Sequence, residues 1–313
     1  MLKEKIIIIV GPTAVGKTSL SLELAETFNG EIISGDSMQV YKSLDIGTAK
    51  ATQEERNRVN HYLIDEVEPD KPYTVSDFKE KATKDIQDII AKHKVPIIVG
   101  GTGLYIESLL YDVSHGGEAA PDLAYREKME QLALNEGNLA VWEKLKSIDP
   151  VAAEMIHPNN LRRVIRALEV YQTTGVLFST LQKEKSDKEP LFDAYIIGLT
   201  TDRALLYKRI NQRVEEMVEN GLMEEAEQLI QTVPEDAQSV KGIGYKEWIP
   251  YFQKKCTLEH VIDSIQQNSR RYAKRQLTWF RNRMKIDSWW NLVEEPEKMD
   301  QIKRELKLFL GCE

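Results

Sequence analysis

Ile6-Ile-Ile-Ile-Val10 and the following Gly11-Pro-Thr-Ala-Val-Gly-Lys-Thr18 decide the fold of this chain. A glycine, four further residues and then Gly-Lys-Thr is the spacing of a P-loop between a buried strand and a helix. The glycines permit a tight turn whose backbone N–H groups converge on phosphate oxygens. Lys17 supplies a positive charge for the terminal phosphates, and Thr18 offers a hydroxyl to a magnesium ion. The alternative is a chance glycine-rich turn, against which the flanking strand and amphipathic helix both argue.

The composition argues against several classes of protein. The chain has 313 residues with 50 acidic and 42 basic side chains, a net charge of -8 that by itself argues against a nucleic-acid binder. Cys256 and Cys312 lie far apart and outside any C-x-x-C or Cys/His cluster, which argues against a disulfide framework and a zinc site. The N-terminus leads directly into a short strand, and no apolar run approaches the length of a membrane span. We therefore predict a cytoplasmic protein that does not contact membranes.

Several short runs rich in β-branched residues alternate with segments of helical periodicity. This alternation predicts an α/β fold, with a parallel sheet covered by helices on both faces. Ligands of such sheets bind at the carboxyl ends of the strands, so we expect the loops after the strands to carry the function. The predicted strands are Ile6–Val10, Glu31–Ser34, Tyr62–Asp65, Val95–Val99 and Ala194–Leu199.

The strand pattern disappears between about residues 114 and 190. Apolar residues at helical spacing there, such as Leu161, Ile165 and Leu168, predict a helical insertion. The predicted organisation is a P-loop NTPase/kinase-like core of residues 1–113 and 191–290, an inserted helical domain of residues 114–190, and a tail helix within 291–313. Arginines at 162, 163 and 166 make one helix face positive, for which solubility alone is a sufficient explanation.

The loops after the second and fourth strands carry candidate site residues. Asp36 follows the second strand, where it either binds magnesium or accepts a proton, or simply forms a turn with its own backbone. The fourth strand runs into Gly100-Gly101-Thr102, where many P-loop ATPases carry a magnesium-binding aspartate. This argues against a motor ATPase, with Asp65 as an acid in reserve. The glycines form a tight turn or admit a ligand closely, with Thr102 as a polar contact.

Two features of the C-terminal part are basic. Arg213 lies on a helix capped by Asp202, where it either clamps a diphosphate or pairs with Glu216 on the surface. The stretch Arg270–Lys285 contains no acidic residue and interleaves its basic side chains with aromatic ones. This pattern is the electrostatic footprint of a polyanion binder, with RNA the first candidate, although its aromatic residues can equally be core.

Taken together, these motifs resemble those of the tRNA dimethylallyltransferase (tRNA isopentenyltransferase) family over nearly the whole chain. The resemblance implies transfer of the dimethylallyl group from dimethylallyl diphosphate to the exocyclic amine of the adenosine 3′ to the anticodon, position 37. The segments that carry it, in the family's order, are Gly11–Thr18, Gly35–Tyr41 with Asp45–Lys50, Gly100–Tyr105, Arg166–Val170, Ile243–Tyr245 and Tyr272–Arg281.

The resemblance also implies roles for individual residues. Asp36 accepts the proton of the amine, with Lys17, Thr18 and Thr102 as further catalytic residues and Thr18 on Mg²⁺. The diphosphate is bound by Gly11, Pro12, Thr13, Ala14, Val15, Gly16, Lys17, Thr18 and Arg213. The tRNA is bound by Asp36, Ser37, Met38, Gln39, Thr102, Arg126, Asn159, Asn160, Leu161, Arg162, Arg163, Gly242, Ile243, Gly244, Tyr245, Lys274, Arg275, Gln276, Trp279 and Arg281. The expected partners are the tRNA anticodon stem-loop and dimethylallyl diphosphate, and we expect a monomer.

Three other functions fit parts of the pattern. The P-loop alone favours a nucleoside or nucleotide kinase, against which the strand-end glycines and the basic C-terminal stretch both count. An adenylate isopentenyltransferase acting on free AMP has the same chemistry but no need for Arg270–Lys285. A noncatalytic RNA-binding GTPase or ATPase-like module would bind RNA in a nucleotide-dependent way without forming a product.

Overall fold

The computed structural model describes residues 3–111, 122–181 and 189–312. The chain divides into two compact units, one formed by Met1–Leu110 with Leu191–Glu313 and the other by Tyr111–Pro190. The boundary predicted between residues 113 and 114 lies outside the described residues.

The strands of the first unit form one parallel sheet. Their order across the sheet is β3-β2-β4-β1-β5-β6, so β1, which leads into the predicted phosphate loop, is central. Each neighbouring pair is parallel, which confirms the predicted α/β class. The strands are β1 Lys5–Val10, β2 Gly30–Ser34, β3 His61–Tyr62, β4 Val95–Gly100, β5 Asp193–Leu199 and β6 Ser288–Trp290.

The strands differ from the prediction in two places. The strand predicted over Tyr62–Asp65 ends at Tyr62, because Leu63 and Asp65 take positive φ angles of 59° and 58° and turn the chain away from the sheet. Strand β6 was not predicted, since three residues form too short a run to show a period. It exists because Ser288 to Trp290 pair with β5 opposite Ile197 to Leu199.

Helices follow most of the strands. They are α1 Lys17–Thr27, α2 Gln53–Arg58, α3 Val75–Ala91, α4 Gly103–Tyr111, α5 Leu123–Glu136, α6 Asn138–Ile148, α7 Pro150–Met155, α8 Leu161–Thr174, α9 Arg203–Glu219, α10 Leu222–Thr232, α11 Ile249–Phe252, α12 Leu258–Arg283 and α13 Met299–Leu310. Helices α5 to α8 belong to the second unit, so the described part of the insertion is helical as predicted. Asp202 caps α9 by accepting hydrogen bonds from the N–H groups of Ala204 and Leu205, as predicted. Asn160 occupies the N-cap of α8, but its side chain makes no cap hydrogen bond.

The core of the first unit explains why the apolar run at the N-terminus forms its central strand. Ile6 to Val10 are 0% exposed, because helices cover both faces of β1 and strands flank both of its edges. Apolar residues of α1, α9, α12 and α13 join this core, including Leu20, Ile210, Ala273 and Ile302. The long basic helix α12 is therefore anchored directly to the layer that carries the phosphate loop.

In the three described ranges of the chain, no helix combines the length and the apolar character that crossing a membrane requires.

Candidate active site

The phosphate loop connects β1 to α1 and contains three residues with positive φ, Gly11, Ala14 and Gly16. Gly16, at the N-cap of α1, has a φ of 90°, which favours glycine. Ala14 has a φ of 65°, a conformation that is uncommon for a residue with a side chain. The Nε of Arg209 on α9 donates a hydrogen bond of 2.8 Å to the carbonyl of Ala14. Arg209, which we did not predict as a site residue, therefore holds the loop in its turned conformation.

Two cationic side chains meet at this loop. The Nζ of Lys17 donates to the carbonyls of Gly11 and Pro12 at 3.0 Å and 2.7 Å. The Nη1 of Arg213 donates to the Thr13 hydroxyl at 3.1 Å, which brings this arginine to the loop, as expected for a diphosphate contact. Backbone N–H groups at a helix N-terminus, a lysine and an arginine together form a site for a dense negative charge.

The neighbouring arginine lowers the proton affinity of Lys17 when no anion is bound. Burial and the neighbouring Arg213 lower the pKa of Lys17 to about 8, while the charge of Asp36 opposes that shift. Burial also lowers the pKa of Arg213, again opposed by Asp36. An incoming diphosphate supplies the negative charge that this pair lacks.

Asp36 follows β2 and belongs to a turn that faces the phosphate loop. Its Oδ1 accepts a hydrogen bond of 2.8 Å from the N–H of Met38, which is the turn-forming alternative considered from the sequence. Its charge nevertheless acts on Lys17 and Arg213. The hydroxyl of Thr102, at the end of β4, accepts from the N–H of Ser37 at 3.2 Å, so β4 supports the same turn. In one conformation, Asp36 therefore forms a turn with its own backbone and also places its charge near the phosphate loop.

The glycines after β4 make room for other parts of the protein. A Cβ on Gly100 would lie 2.2 Å from the Gly35 carbonyl oxygen, and one on Gly101 would lie 2.0 Å from the Gln276 amide. A Cβ on Gly103 would lie 2.2 Å from the Trp279 ring. The missing side chains therefore make room for Gly35, Gln276 and Trp279, while the close approach of a ligand to Gly100 and Gly101 stays a prediction.

Gln276 ties the basic helix α12 to the phosphate loop. Its Nε2 donates to the Gly101 carbonyl at 3.0 Å, and its Oε1 accepts from the N–H of Thr13 at 3.3 Å. The residue is only 5% exposed. The side chain of Gln276 therefore forms an internal bridge in this structure, and its contact to tRNA stays a prediction.

The exposed face of α12 lines a groove of about 550 Å³, formed by Arg271, Lys274, Arg275, Thr278, Trp279, Asn282 and Arg283. The Arg283 guanidinium lies 4.5 Å from the centre of the Trp279 ring, and that of Arg281 lies 5.7 Å from Trp289. Phe280 is fully buried, so the aromatic residues of this helix divide between the groove and the core. The groove brings together predicted tRNA contacts on the helix and offers positive charge to a polyanion.

Two other segments predicted to contact tRNA also make internal contacts. Gln39 is fully engaged, since its Oε1 accepts from the Ser34 hydroxyl at 2.8 Å and its Nε2 donates to the carbonyls of Thr48 and Ala49 at 3.2 Å each. Tyr245 is 0% exposed. The side chains of Gln39 and Tyr245 make internal contacts in this conformation, and their contacts to tRNA stay predictions.

A further close contact brings these segments together. A Cβ on Gly242 would lie 2.5 Å from the Met38 methyl carbon, so the loop of Gly242, Ile243 and Gly244 lies against the Asp36 turn. The sequence motif at 242–245 thus belongs to the surroundings of the predicted proton acceptor.

The remaining predicted tRNA contacts belong to the second unit. Arg126 forms a two-bond ion pair with Glu169 at 2.7 Å and 2.9 Å, and Arg166 donates to the same carboxylate at 2.5 Å. Glu169 is 0% exposed, so these arginines neutralise a buried charge as well as presenting part of a basic surface. The segment from Asn159 to Arg163 forms the start of α8.

The structure narrows the choice of metal ligands. Asp65, the acid held in reserve, bonds to Lys50 and Arg56 at 2.5 Å and 2.6 Å and lies beyond the edge strand β3. Within the described residues, no group of three or more His, Cys, Asp or Glu side chains is arranged to hold a metal ion. Thr18 is exposed at the first turn of α1.

The chain is similar to known proteins over nearly its whole length. A family model described as IPP transferase matches residues 39–283. A tRNA dimethylallyltransferase of Enterococcus faecalis is 53% identical over 308 residues, which cover 98% of this chain and 98% of that protein. A tRNA dimethylallyltransferase of Bacillus cereus is 52% identical over 302 residues, which cover 96% and 94%.

Solved structures of this kind of enzyme are also similar to the chain. The crystal structure of the full-length tRNA isopentenylpyrophosphate transferase of Bacillus halodurans matches with a TM-score of 0.74 and 46% identity, covering 99% of this chain and 97% of that one. A eukaryotic dimethylallyltransferase, described in crystallographic snapshots acting on tRNA, matches with a TM-score of 0.83 and 29% identity, covering 99% and 80%. The matches extend through the P-loop core, the helical insertion and the basic helix, and on these grounds the chain belongs to the tRNA dimethylallyltransferase family.

Proposed function

We propose that this protein transfers the dimethylallyl group from dimethylallyl diphosphate to the exocyclic amine of the adenosine 3′ to the anticodon, position 37, and releases diphosphate. The observation that carries the proposal is the meeting of a cationic phosphate loop with Asp36 at the carboxyl end of one sheet. The basic groove on α12, tied to that loop through Gln276, supports RNA as the acceptor.

The phosphate loop acts on the leaving group. As the bond from the allylic carbon to the diphosphate oxygen breaks, negative charge grows on the departing oxygens and positive character grows on carbon. Lys17 and Arg213 lie at the loop beside the N–H groups at the start of α1, where they stabilise the growing charge once the diphosphate replaces their bonds to loop carbonyls and to the Thr13 hydroxyl. The same cations are poorly compensated in the free protein, which favours binding of the doubly charged end of the substrate.

We further propose Mg²⁺ as the cofactor, held by the Thr18 hydroxyl and by oxygens of the diphosphate. The exposed position of Thr18 and the lack of a multi-carboxylate cluster in the described residues fit an ion that arrives with its substrate. When bound, the ion adds to the neutralisation of the leaving group. The protein's own part is to hold Thr18 at the first turn of α1.

Asp36 is proposed to receive the proton of the incoming amine. The nitrogen lone pair is delocalised into the purine ring, so the amine is a weak nucleophile and its proton becomes acidic only as the new carbon–nitrogen bond forms. A carboxylate within hydrogen-bonding distance then accepts it. Thr102 holds the turn of Asp36 through the N–H of Ser37 and supplies a further polar group at the end of β4.

The acceptor adenosine must leave the stack of the anticodon loop to reach this site. Flipping a base costs a few kcal/mol, about the amount that phosphate contacts and stacking return. Lys274 and Arg275 are exposed along the α12 groove, where they are proposed to bind RNA phosphates, and Trp279 lies in its wall. The Gln276 bridge then positions the bound RNA relative to the diphosphate loop.

We propose that the protein acts in the cytoplasm as a monomer. Cys256 and Cys312 are free thiols, which fits a reducing compartment.

The test is a single-turnover assay with radiolabelled dimethylallyl diphosphate, magnesium and an unmodified anticodon stem-loop carrying adenosine after the anticodon. AMP is present as a competing acceptor. We expect label on the RNA alone, and a stem-loop with guanosine at that position serves as the matched control. Label on AMP alone would instead identify an enzyme for the free nucleotide. No label on either, together with phosphate transfer from ATP, would identify a kinase.

A further inference from the structure

A single carboxylate outside the catalytic loops gathers four hydrogen-bond donors. Glu225, on α10, accepts from the backbone N–H groups of Asp45 and Ile46 through Oε2, at 2.7 Å and 2.9 Å. Its Oε1 accepts from the N–H of Gly47 at 2.9 Å and from the Tyr245 hydroxyl at 2.7 Å. Three successive backbone donors directed at one anion form the kind of concavity that proteins use to bind phosphate. Here a side chain of the protein itself fills it.

The surroundings are built to keep this arrangement. A Cβ on Gly47 would lie 2.6 Å from the Tyr245 ring and 3.0 Å from Leu222, so only glycine fits between the loop and its neighbours. Burial and the charge of Glu225 raise the pKa of Tyr245. Its hydroxyl therefore stays protonated and remains a donor to the carboxylate. The loop from Asp45 to Gly47 is thus fixed by Glu225 from one side and by Tyr245 from the other.

Two routes of contact lead from this loop to Asp36. The residues that follow Gly47 hold Gln39, because the carbonyls of Thr48 and Ala49 accept both bonds of its amide nitrogen. The segment that carries Tyr245 also contains Gly242, which lies directly against the Met38 methyl group. Met38 and Gln39 are two and three residues beyond Asp36, and the N–H of Met38 donates to the Asp36 carboxylate.

We infer that Glu225 is a positioning residue for prenyl transfer: by holding residues 45–47 and Tyr245, it fixes the turn that aims Asp36 at the acceptor amine. This inference rests on the proposed function. It assigns a role to a residue that touches neither substrate. The phosphate loop leaves a different strand, β1, and is held by Arg209, Arg213 and Gln276. Loss of Glu225 therefore disturbs the acceptor side of the site and leaves diphosphate binding intact.

Substitutions of Glu225 should differ in how many of its hydrogen bonds they remove. In Glu225→Gln, the amide oxygen can keep the N–H groups of Asp45 and Ile46, while the amide nitrogen donates to the Tyr245 hydroxyl. The N–H of Gly47 and the O–H of Tyr245 then lose the oxygen that accepted their hydrogen bonds. Glu225→Leu has a similar size but leaves all three backbone donors without the carboxylate. Glu224→Gln is the matched control, because Glu224 is exposed on the same turn of α10.

The experiment measures kcat, KM for the anticodon stem-loop and KM for dimethylallyl diphosphate for the four proteins, with unfolding temperature and amide hydrogen exchange of residues 45–50. We expect kcat to fall by about tenfold to a hundredfold in Glu225→Leu, the range typical of a misaligned reacting group. Glu225→Gln should lose less than Glu225→Leu, and Glu224→Gln should match the wild type. KM for dimethylallyl diphosphate should stay within about twofold of the wild-type value in all variants, because the phosphate loop that binds this substrate is unchanged. Amide hydrogen exchange at residues 45–47 should be faster in Glu225→Gln than in the wild type, and fastest in Glu225→Leu.

The outcomes separate this inference from the function on which it rests. A wild type that labels neither acceptor refutes the proposed function, and the inference with it. An active wild type with unchanged kcat in Glu225→Leu refutes the inference alone. So does an equal rise of both KM values with a lowered unfolding temperature in Glu225→Gln, which would indicate general destabilisation.

Discussion

The charge of Lys17 makes binding of dimethylallyl diphosphate depend on pH. The free protein lowers the pKa of this lysine to about 8, through burial and the neighbouring Arg213. A lysine whose pKa is lowered carries its charge below that pKa and loses it as the pH rises through it. Because a neutral amine does not neutralise a diphosphate, affinity for the substrate should decline at alkaline pH.

The size of the effect follows from the protonated fraction. With a pKa of about 8, roughly three quarters of the molecules carry the charge at pH 7.5 and roughly a tenth at pH 9. If only the charged form binds, the affinity falls about eightfold across this interval. Once diphosphate is bound, its charge raises the pKa of Lys17. We therefore expect kcat to vary much less with pH than kcat/KM for dimethylallyl diphosphate.

The assay is isothermal titration of the protein with dimethylallyl diphosphate and magnesium, without RNA, at pH 7.5 and at pH 9. Lys17→Arg is the matched control, because a guanidinium keeps its charge at both pH values. Its binding should be weaker than that of the wild type but independent of pH. Arg213→Gln removes the neighbouring positive charge, so the decline in affinity should move to higher pH.

Two results would refute this reasoning. Equal wild-type affinity at pH 7.5 and pH 9 would show that the charge of Lys17 does not control binding. An eightfold decline that persists in Lys17→Arg would assign the titration to another group.

Other perturbations test the remaining parts of the structure. Asp36→Ala should lower prenyl transfer by about a hundredfold or more while RNA binding, measured by fluorescence anisotropy, stays near the wild-type value; loss of RNA binding as well would contradict its role as proton acceptor. Lys274→Ala should weaken RNA binding and make the dependence of log K on log salt shallower by about 0.7 to 0.9, the loss of one phosphate contact, and an unchanged slope would place Lys274 outside the RNA path. Glu31 accepts bonds from Tyr62 and Lys94, and its pKa is lowered to about 2, although burial opposes that shift. Its stabilisation of the fold, up to about 3 kcal/mol, should be present above its unfolded pKa near 4.5 and disappear as the pH falls towards 2. Denaturant titrations of Glu31→Gln between pH 3 and 7 measure this, and a loss of stability that is equal at both ends would exclude it.

Much of the fold was predictable because its signals are local. An isoleucine run before a Gly-x-x-x-x-Gly-Lys-Thr motif specifies a buried strand and a phosphate loop within the thirteen residues from Ile6 to Thr18, and β1 and α1 lie where this pattern predicts. The same holds for the cap of α9 at Asp202 and for its end at Asn220. The strand β6 had no such signal, since three residues become a strand only by pairing with β5.

The limit of prediction from the sequence is clearest for two glycines and two glutamine side chains. Gly100 and Gly101 read as a turn or a ligand contact, yet the first is needed because the backbone of Gly35 approaches it, and the second because Gln276 does. The sequence predicts that Gln276 and Gln39 contact tRNA, and it gives no sign that both also bond to backbone groups of the protein itself. A sequence states which polar groups are present but not which partners fold next to them.

The sequence by itself determined the P-loop, the α/β class, the helical insertion and the basic character of α12, because each depends on residues close together in the chain. Tertiary structure alone decided that Arg209, Arg213 and Gln276 hold the phosphate loop, and that Glu225 organises the residues beside Asp36. Glu225 lies 178 residues from Gly47 along the chain. Contacts between positions so distant are set by how the helices pack on the sheet, and this packing has no local signature in the sequence.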